Sequence, residues 1–487
     1  MEATATAEVA AEILEPLELR FSDLLLLSSG APSHPPPSPA ELARLESISA
    51  AAMQALGSSG PGLLAITEVP KAPDLRRLIL PFARKLALLG RKDRARVLKE
   101  HGLGSDVPLK NLDRNVSSFA LQLKYAHNLN SESSSIRSLC TEENHYYAEG
   151  NSVEDSFEKF DDKEFKILGS TFKELSLCMM ELGLRLAQIC DKAIDCRELK
   201  QSIMDGSAKG RLIHYHSTID NIILKEINRT KKGSKKKVEP ATLDPSPSDE
   251  CTISRDIHEK TSGTHWYSGS RSVKDRTSQI TLFNLWQQWH YDYGIFTVLT
   301  SPSFMFSCLA EDCSHISCCR ECSSPDEHTY LQLFDIKKNK IFVVRSPADS
   351  FIIQVGEAAN ILTNGKLQST LHSVGRTVDM ENLSRQTFVV FLQPAWSKIL
   401  SYSGYPEETS NHDKLVLRTE MTTSSKTEDA FLRYSTSDSK DSHQLMQEIL
   451  RKIPPLSIRF RDGMTFAEFS HETTKQYYSS SGTQSMR

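Results

Sequence analysis

His290 and Asp292 stand two residues apart in the run Trp286–Thr300, WQQWHYDYGIFTVLT. Aromatic and β-branched residues dominate the run, so it reads as a β-strand. Residues i and i+2 of a strand leave the same face, which would put an imidazole and a carboxylate side by side. Such a pair can occupy two positions on one metal ion. A third ligand would complete the two-His-one-carboxylate face that suits non-haem Fe(II) and leaves positions open for chemistry. His372, in NGKLQSTLHSVGRTVDMENLSRQTFVVFLQP, is the candidate for that third position. Arg385 and Thr387 follow, at the start of the strand-like TFVVFLQP. They too would share a face, and a guanidinium fork beside a hydroxyl is the expected clamp for a carboxylate.

The order HYDYG, NGKLQSTLHSV, RQT resembles the iron- and 2-oxoglutarate-dependent dioxygenases, in particular the plant-type group that includes isopenicillin N synthase. That group has H-x-D-x-G, then N-G-x-x-x-S-x-x-H-R-V, then R-x-S. Here Ser373 replaces the Arg that usually follows the second His, Thr387 keeps the hydroxyl of the usual Ser, and the gap from Asp292 to His372 is longer. Gly210–Ser217, GRLIHYHS, resembles the family's L-R-L-N-Y-Y-P strand, with Arg211, Leu212 and Tyr215 in register. The resemblance makes Tyr215 a further contact for a carboxylate of 2-oxoglutarate. It implies an α+β fold, with a double-stranded β-helix (jelly roll) core, flanking N-terminal helices and a C-terminal helix. It also implies Fe(II), 2-oxoglutarate and O2, with ascorbate as an accessory reductant, and hydroxylation of a small organic substrate with release of succinate and CO2. Hormone, phenolic and alkaloid substrates of secondary metabolism all stay open. Two other classes compete: a non-catalytic iron-binding or regulatory protein on the same fold, and an iron oxidase that does not use 2-oxoglutarate.

Length and composition bound these readings. The 487 residues are enough for one large or two ordinary domains. An apolar content of 39% is low for a fully packed globule and points to stretches without a core. A net charge of −4 gives no global pull toward nucleic acid or membrane. No apolar run approaches the length of a spanning helix. The acidic opening MEATATAEVAAEILEPLEL lacks the positive region of a secretory signal. The ten cysteines then read as reduced thiols of a cytoplasmic protein, expected to be a monomer.

Patterning divides the chain as follows. Residues 1–16 are an Ala/Glu-rich tail expected to be disordered, and Leu17–Leu27 looks strand-like. Residues 17–205 form an N-terminal, mainly helical region. Helices are expected over Pro39–Leu56 and Asp74–His101, with a buried strand in Gly60–Val69 between them. The longest helical signal is Lys163–Met204, where Phe172, Leu175, Met179, Leu182, Leu186, Ile189 and Ala193 make one apolar stripe. Such a stripe is the mark of a core helix. His214 and His216 could form a metal pair, but no third ligand is evident from the sequence.

Residues 206–402 are the jelly-roll region, with two insertions. The first, about 218–280, carries Lys231–Lys237 and reads as a disordered excursion. The Lys run is either merely solvated or a nuclear-import or polyanion patch, which keeps the nucleus open as a second location. The second, about 306–328, holds Cys308, Cys313, Cys318, Cys319 and Cys322 with His315 and His328. It is either a structural zinc site using Cys319 and Cys322 or a mobile loop of free thiols. Residues 403–454 read as polar loop, and 455–487 as a C-terminal helix and tail.

Overall fold

The computed structural model describes residues 8–29, 38–105, 107, 115–125, 162–233, 277–281, 284–309, 316–376, 380–402 and 446–480. Residues 128–160 and 403–445, most of the Lys-rich insertion, Cys313 and His315 lie outside them. From the N-terminus the strands are β1 (Glu8–Leu14), β2 (Glu18–Arg20), β3 (Leu63–Thr67), β4 (Gly104–Ser105), β5 (Val116–Lys124) and β6 (Ser207–Tyr215). Next come β7 (Thr277–Thr281), β8 (Leu285–His290), β9 (Phe296–Thr300), β10 (Ser303–Leu309) and β11 (Ile316–Cys322). The last are β12 (Leu331–Asp335), β13 (Lys340–Val344), β14 (Phe351–Val355), β15 (His372–Gly375) and β16 (Leu383–Gln393).

One sheet has the order β7-β1-β13-β12-β15-β8, and a larger one β2-β3-β14-β9-β16-β6-β5-β4. From β8 onward the chain passes repeatedly between them: β8 to β9, β13 to β14, β14 to β15, β15 to β16. That alternation winds a double-stranded β-helix, the jelly roll expected from the sequence, and with its helices the fold is α+β. The inner faces meet through Ile213, Tyr215, Trp286, Val374 and Val389, and through a neighbouring aliphatic cluster that includes Leu333 and Ile352.

Helices cover the outer face of the larger sheet. In helix Leu168–Ile194 the stripe from Phe172 to Ile189 is buried. At Gly183 the helix packs closely on the sheet, where an added Cβ would come within 2.2 Å of Leu392 Cδ1. Phe172 meets Phe388 of β16 edge-on at 4.7 Å. The expected helix over 74–101 is two, Ala72–Leu88 and Arg91–Glu100, split at Leu89–Gly90. The expected 163–204 helix is likewise split, Glu198–Asp205 being separate.

Several expectations are corrected. The tail 1–16 contains β1, which pairs parallel with β13 and antiparallel with β7. Its Ala/Glu composition favours helix, but partners on both sides override that preference. Leu17–Leu27 is not a strand beyond Arg20. The unbranched leucines of Phe21–Ser28 form a helix instead.

The excursion expected over 218–280 begins as helix Thr218–Gly233 and ends in β7. Ser217 and Asp220 cap that helix reciprocally, Asp220 N–H to Ser217 Oγ at 3.1 Å and Ser217 N–H to Asp220 Oδ2 at 3.0 Å. In the Cys-rich stretch, β10 and β11 form an antiparallel ribbon, and β10 also pairs with β16. Cys319 and Cys322, three apart on β11, fall on opposite faces of an extended strand and so do not converge on one ion. The polar loop 403–454 includes a helix over 446–452, where Met446, Ile449 and Leu450 are buried.

A candidate metal centre and its cavity

The three proposed ligands meet at one end of the barrel. His290 is the last residue of β8 and His372 the first of β15, and they are directly paired across the two strands. Their rings lie 4.3 Å apart. Asp292 is not in a strand: the run expected to be one strand is two, broken by a turn at residues 291–295. The turn brings the carboxylate between the rings. Asp292 Oδ1 is 3.7 Å from His290 Nε2, and Oδ2 is 3.7 Å from His372 Nε2. One ligand atom from each residue lies within 4.8 Å of the other two.

Both imidazoles are presented the same way. His290 Nδ1 lies 2.7 Å from the Gln288 carbonyl and His372 Nδ1 lies 3.0 Å from the Thr370 carbonyl. A carbonyl can only accept, so each Nδ1 carries the proton and each Nε2 keeps its lone pair for a metal. Burial, with the His372 ring adding to it, pulls His290 down to about 4, which keeps the ring neutral at ordinary pH. Thr297 Oγ1 donates to Asp292 Oδ2 at 2.6 Å and orients the carboxylate. Ser373, the departure from the family pattern, points away from the metal face and donates to Gln332 Oε1 at 3.0 Å.

The turn that carries Asp292 is itself held from behind. Glu357 N–H donates to the Asp292 carbonyl at 2.8 Å, and Ala358 N–H to the Gly294 carbonyl at 3.0 Å. Gly356 lies so close that a Cβ would be 2.2 Å from the Gly294 carbonyl oxygen. Glu357 then makes a bidentate pair with Arg459, at 2.6 and 2.7 Å, with both side chains buried. Burial opposes the Arg459 charge, but Glu357 outweighs it and raises its pKa. Arg459 also lies over the Tyr477 ring at 5.5 Å, and the Tyr477 hydroxyl accepts the Tyr291 N–H at 3.1 Å. Helix Phe466–Ser480 thereby reaches the metal turn. Its N-terminus is fixed by a capping box between Thr465 and Glu468.

The residues expected to clamp a carboxylate lie on the facing wall. Tyr215 of β6 pairs with Arg385 of β16, and the Arg385 guanidinium is 5.1 Å from the Tyr215 ring centre. Arg385 is 3% exposed. Its Nε donates to the Thr329 carbonyl at 3.1 Å, while Nη1 is buried without a hydrogen-bond partner. Burial lowers the pKa of Arg385 and raises that of Tyr215. A buried cation with a spare donor is costly unless an anion meets it. Thr387 lines the same cavity and holds only a long bond, 3.3 Å, to the Thr300 carbonyl. All six sequence-derived residues line one cavity of about 900 Å³.

His214 and His216 do have a third neighbour, Asp220. Three of their four ring nitrogens are already engaged, however. His214 Nε2 lies 3.0 Å from Asp220 Oδ2, Gln386 Nε2 lies 3.1 Å from His214 Nδ1, and His216 Nε2 lies 2.8 Å from Ser117 Oγ. Arg84 Nε adds a fixed cation on Asp220 Oδ1 at 3.0 Å. Burial would raise the Asp220 carboxyl, but His214 and Arg84 outweigh it and hold it well below its usual range. This group fastens the capped helix to the sheet.

Reading the sequence missed Thr297, Arg459 and Tyr477, which line or support this cavity, and gave Arg211 no role in it. None of the three sits in a recognisable motif. The one available signal was Thr297, five residues beyond Asp292 in the same aromatic run.

No protein-family model matches the sequence, and no curated protein matches it. Solved structures do show likeness. JOX2, in complex with 2OG, Fe and JA, is 12% identical with a TM-score of 0.42, over 83% of this chain and 81% of that one. A full-length Neurospora crassa protein, in complex with alpha-KG and thymine, is 12% identical with a TM-score of 0.43, over 81% and 90%. The rice dioxygenase for auxin oxidation is 14% identical with a TM-score of 0.41, over 84% and 96%. Among the described residues no helix is long and apolar enough to cross a membrane.

Proposed function

We propose that this chain is a non-haem Fe(II)- and 2-oxoglutarate-dependent dioxygenase that hydroxylates a small organic molecule, with release of succinate and CO2. One observation carries the reading: a single cavity holds both a three-residue metal face and a buried arginine with an unused donor. The neutral Nε2 atoms of His290 and His372 with the Asp292 carboxylate suit Fe(II), which takes imidazole and carboxylate and keeps positions open. Arg385 suits the far carboxylate of 2-oxoglutarate, with Tyr215 and Thr387 beside it.

Bound iron, the 2-oxo acid and O2 together supply the oxidation, one oxygen atom passing to the substrate and the other to succinate. The chain's own work is positioning. The Gln288 and Thr370 carbonyls fix both imidazoles in one tautomer. Thr297 fixes the carboxylate, and Glu357 fixes the turn beneath it. Arg385 holds the far carboxylate of the cosubstrate by a charge-assisted fork. The apolar inner walls keep water from the reacting centre.

The test is anaerobic titration of Fe(II)-loaded protein with 2-oxoglutarate, following the weak visible absorption of a chelated 2-oxo acid. The wild type should develop the band, and His290→Ala or His372→Ala should lose both iron and band. Arg385→Ala should keep iron. Removing one partner of a buried ion pair costs on the order of 3–5 kcal/mol, or roughly two to four decades in affinity. Half-saturating 2-oxoglutarate should therefore rise at least a hundredfold. Iron-loaded wild type without the band would point instead to an oxidase that does not use 2-oxoglutarate. The unused donor of Arg385 argues against that reading.

A further inference from the structure

We propose that Tyr330 is a positioning residue of the cosubstrate clamp: it turns the Thr329 carbonyl onto Arg385, so that the end of the guanidinium is left for a carboxylate. This rests on the function proposed above and adds how its clamp is set. Tyr330 lies just before β12, in the loop that follows β11, and its φ is 58°. A bulky residue rarely adopts that left-handed backbone, which persists only where the surroundings fix it. Rotation about φ sets the direction of the preceding peptide. At Tyr330 that peptide carries the Thr329 carbonyl.

Both ends of this one peptide are held. Its oxygen accepts from Arg385 Nε at 3.1 Å, and its N–H donates to His328 Nδ1 at 3.2 Å. Burial keeps the His328 ring neutral at ordinary pH, so Nδ1 can accept. A guanidinium offers a carboxylate two forks, one along its Nε side and one at its end. With Nε committed to Thr329, the end remains, and Nη1 there has no hydrogen-bond partner. An extended backbone at Tyr330 would turn the carbonyl away and release Nε. The guanidinium would then have more than one way to lie.

The tyrosine side chain locks this backbone in place. Its hydroxyl donates to Asp326 Oδ2 at 2.6 Å. Its ring packs edge-on against His328 at 4.5 Å and against Phe304 at 5.5 Å. Phe304 is directly opposite Arg385 in the pairing of β10 with β16. The Tyr330 carbonyl accepts the Gly375 N–H at 2.9 Å, and Thr329 is pinned to the Val344 carbonyl through its N–H at 3.0 Å and its hydroxyl at 2.8 Å. Glycine would adopt the same φ without strain, but it could make neither the ring contacts nor the bond to Asp326. Tyrosine keeps the carbonyl fixed where glycine would let it swing. Neither Tyr330 nor Asp326 is among the residues lining the cavity, so both act through Arg385.

In the experiment, Fe(II)-loaded full-length protein is titrated anaerobically with 2-oxoglutarate, and Mn(II) affinity is measured on the same variants. Tyr330→Gly should raise half-saturating 2-oxoglutarate at least tenfold, while Mn(II) affinity stays within about twofold of wild type. Tyr330→Phe and Asp326→Ala, which undo the lock from either end, should each raise it severalfold. Asp326→Asn, whose amide oxygen still accepts the hydroxyl, should lie closer to wild type than Asp326→Ala does. An Arg385→Ala background separates positioning from general loosening. There Tyr330→Gly should change half-saturating 2-oxoglutarate by less than about twofold, because the residue through which it acts is gone. A Tyr330→Gly variant with wild-type affinity for 2-oxoglutarate overturns the proposal. So does one that weakens Mn(II) as far as 2-oxoglutarate, or that weakens 2-oxoglutarate as much without Arg385 as with it. If Tyr330→Gly does not fold, the Asp326 variants decide, and an Asp326→Ala protein with wild-type affinity overturns the proposal. If wild type forms no iron–2-oxoglutarate band, the function fails and the clamp with it. A band that Arg385→Ala weakens and the Tyr330 and Asp326 variants leave unchanged sinks this inference alone.

Discussion

Arg459→Met tests how the metal turn is held. In the wild type the guanidinium makes two short bonds to Glu357, at 2.6 and 2.7 Å, and both side chains are at most 4% exposed. The substitution keeps the bulk but strands the Glu357 carboxylate in a site with almost no water. Breaking a buried pair from one side costs about 3–5 kcal/mol, a large part of the roughly 5–15 kcal/mol that stabilises an ordinary domain. Removing both charges, with Glu357→Gln and Arg459→Met together, should cost clearly less than the single change, because no bare charge is left behind. The coupling from a double-mutant cycle should therefore be at least about 2 kcal/mol. Urea unfolding of the full chain, followed by tryptophan fluorescence, measures it. A second readout separates support of the site from bulk stability. The Glu357 N–H anchors the Asp292 carbonyl, so Mn(II) affinity of the folded Arg459→Met protein should fall at least tenfold. A single variant that loses less than about 1 kcal/mol, or a double variant that loses the sum of the two singles, would refute the reasoning.

Gly356→Ala should lower metal affinity sharply, because its Cβ would be 2.2 Å from the Gly294 carbonyl oxygen and must displace the Asp292 turn; unchanged Mn(II) binding would show the turn is not seated as described. Thr297→Val removes the 2.6 Å bond to Asp292 Oδ2, and loss of such a support should weaken metal binding about 10–100-fold, read by competition with a chelator. Tyr477→Phe removes the acceptor of the Tyr291 N–H and should cost about 1–3 kcal/mol in urea unfolding. Burial holds His328 at about 4, below its usual 6.5. The unfolded chain therefore binds more protons there between those values, and stability from this residue is complete above pH 6.5 and lost as pH falls toward 4. His328→Gln should flatten that part of the stability–pH curve, and an unchanged slope would contradict the assignment.

The convergence of the candidate site was legible because it depends on residue types at short spacing. His290, Asp292 and His372 converge, and Arg385, Thr387 and Tyr215 share one wall, as alternation along strands requires. The fold class followed from the same residues through resemblance. What stayed hidden depends on distant partners. β1 reads as helix by composition and becomes a strand only between β7 and β13. Asp292 reads as strand because its neighbours are aromatic, yet Gly294 and Gly356 must approach each other and bend the chain there. Glu357 and Arg459 are separated by 102 residues, and nothing local marks them as a pair. Ser217 and Asp220 are the opposite case. Their S-x-x-D spacing is a helix-start signal, and it was absorbed into an insertion judged by its later lysines.

The interior position of β1 has a consequence for synthesis. This strand leaves the ribosome before either neighbour, yet its register is set by residues 277–281 on one side and 342–344 on the other. At a translation rate of roughly 5–20 residues per second, it waits on the order of tens of seconds for both neighbours. Until it docks, β7 and β13 each present an unpaired edge, which is a template for joining another chain. Nascent chains should therefore be most prone to misassociation after residue 344 has emerged and before β1 has inserted. An amino-terminal fusion that slows insertion would lengthen that interval, and would lower the yield of soluble protein without touching a single residue of the metal centre.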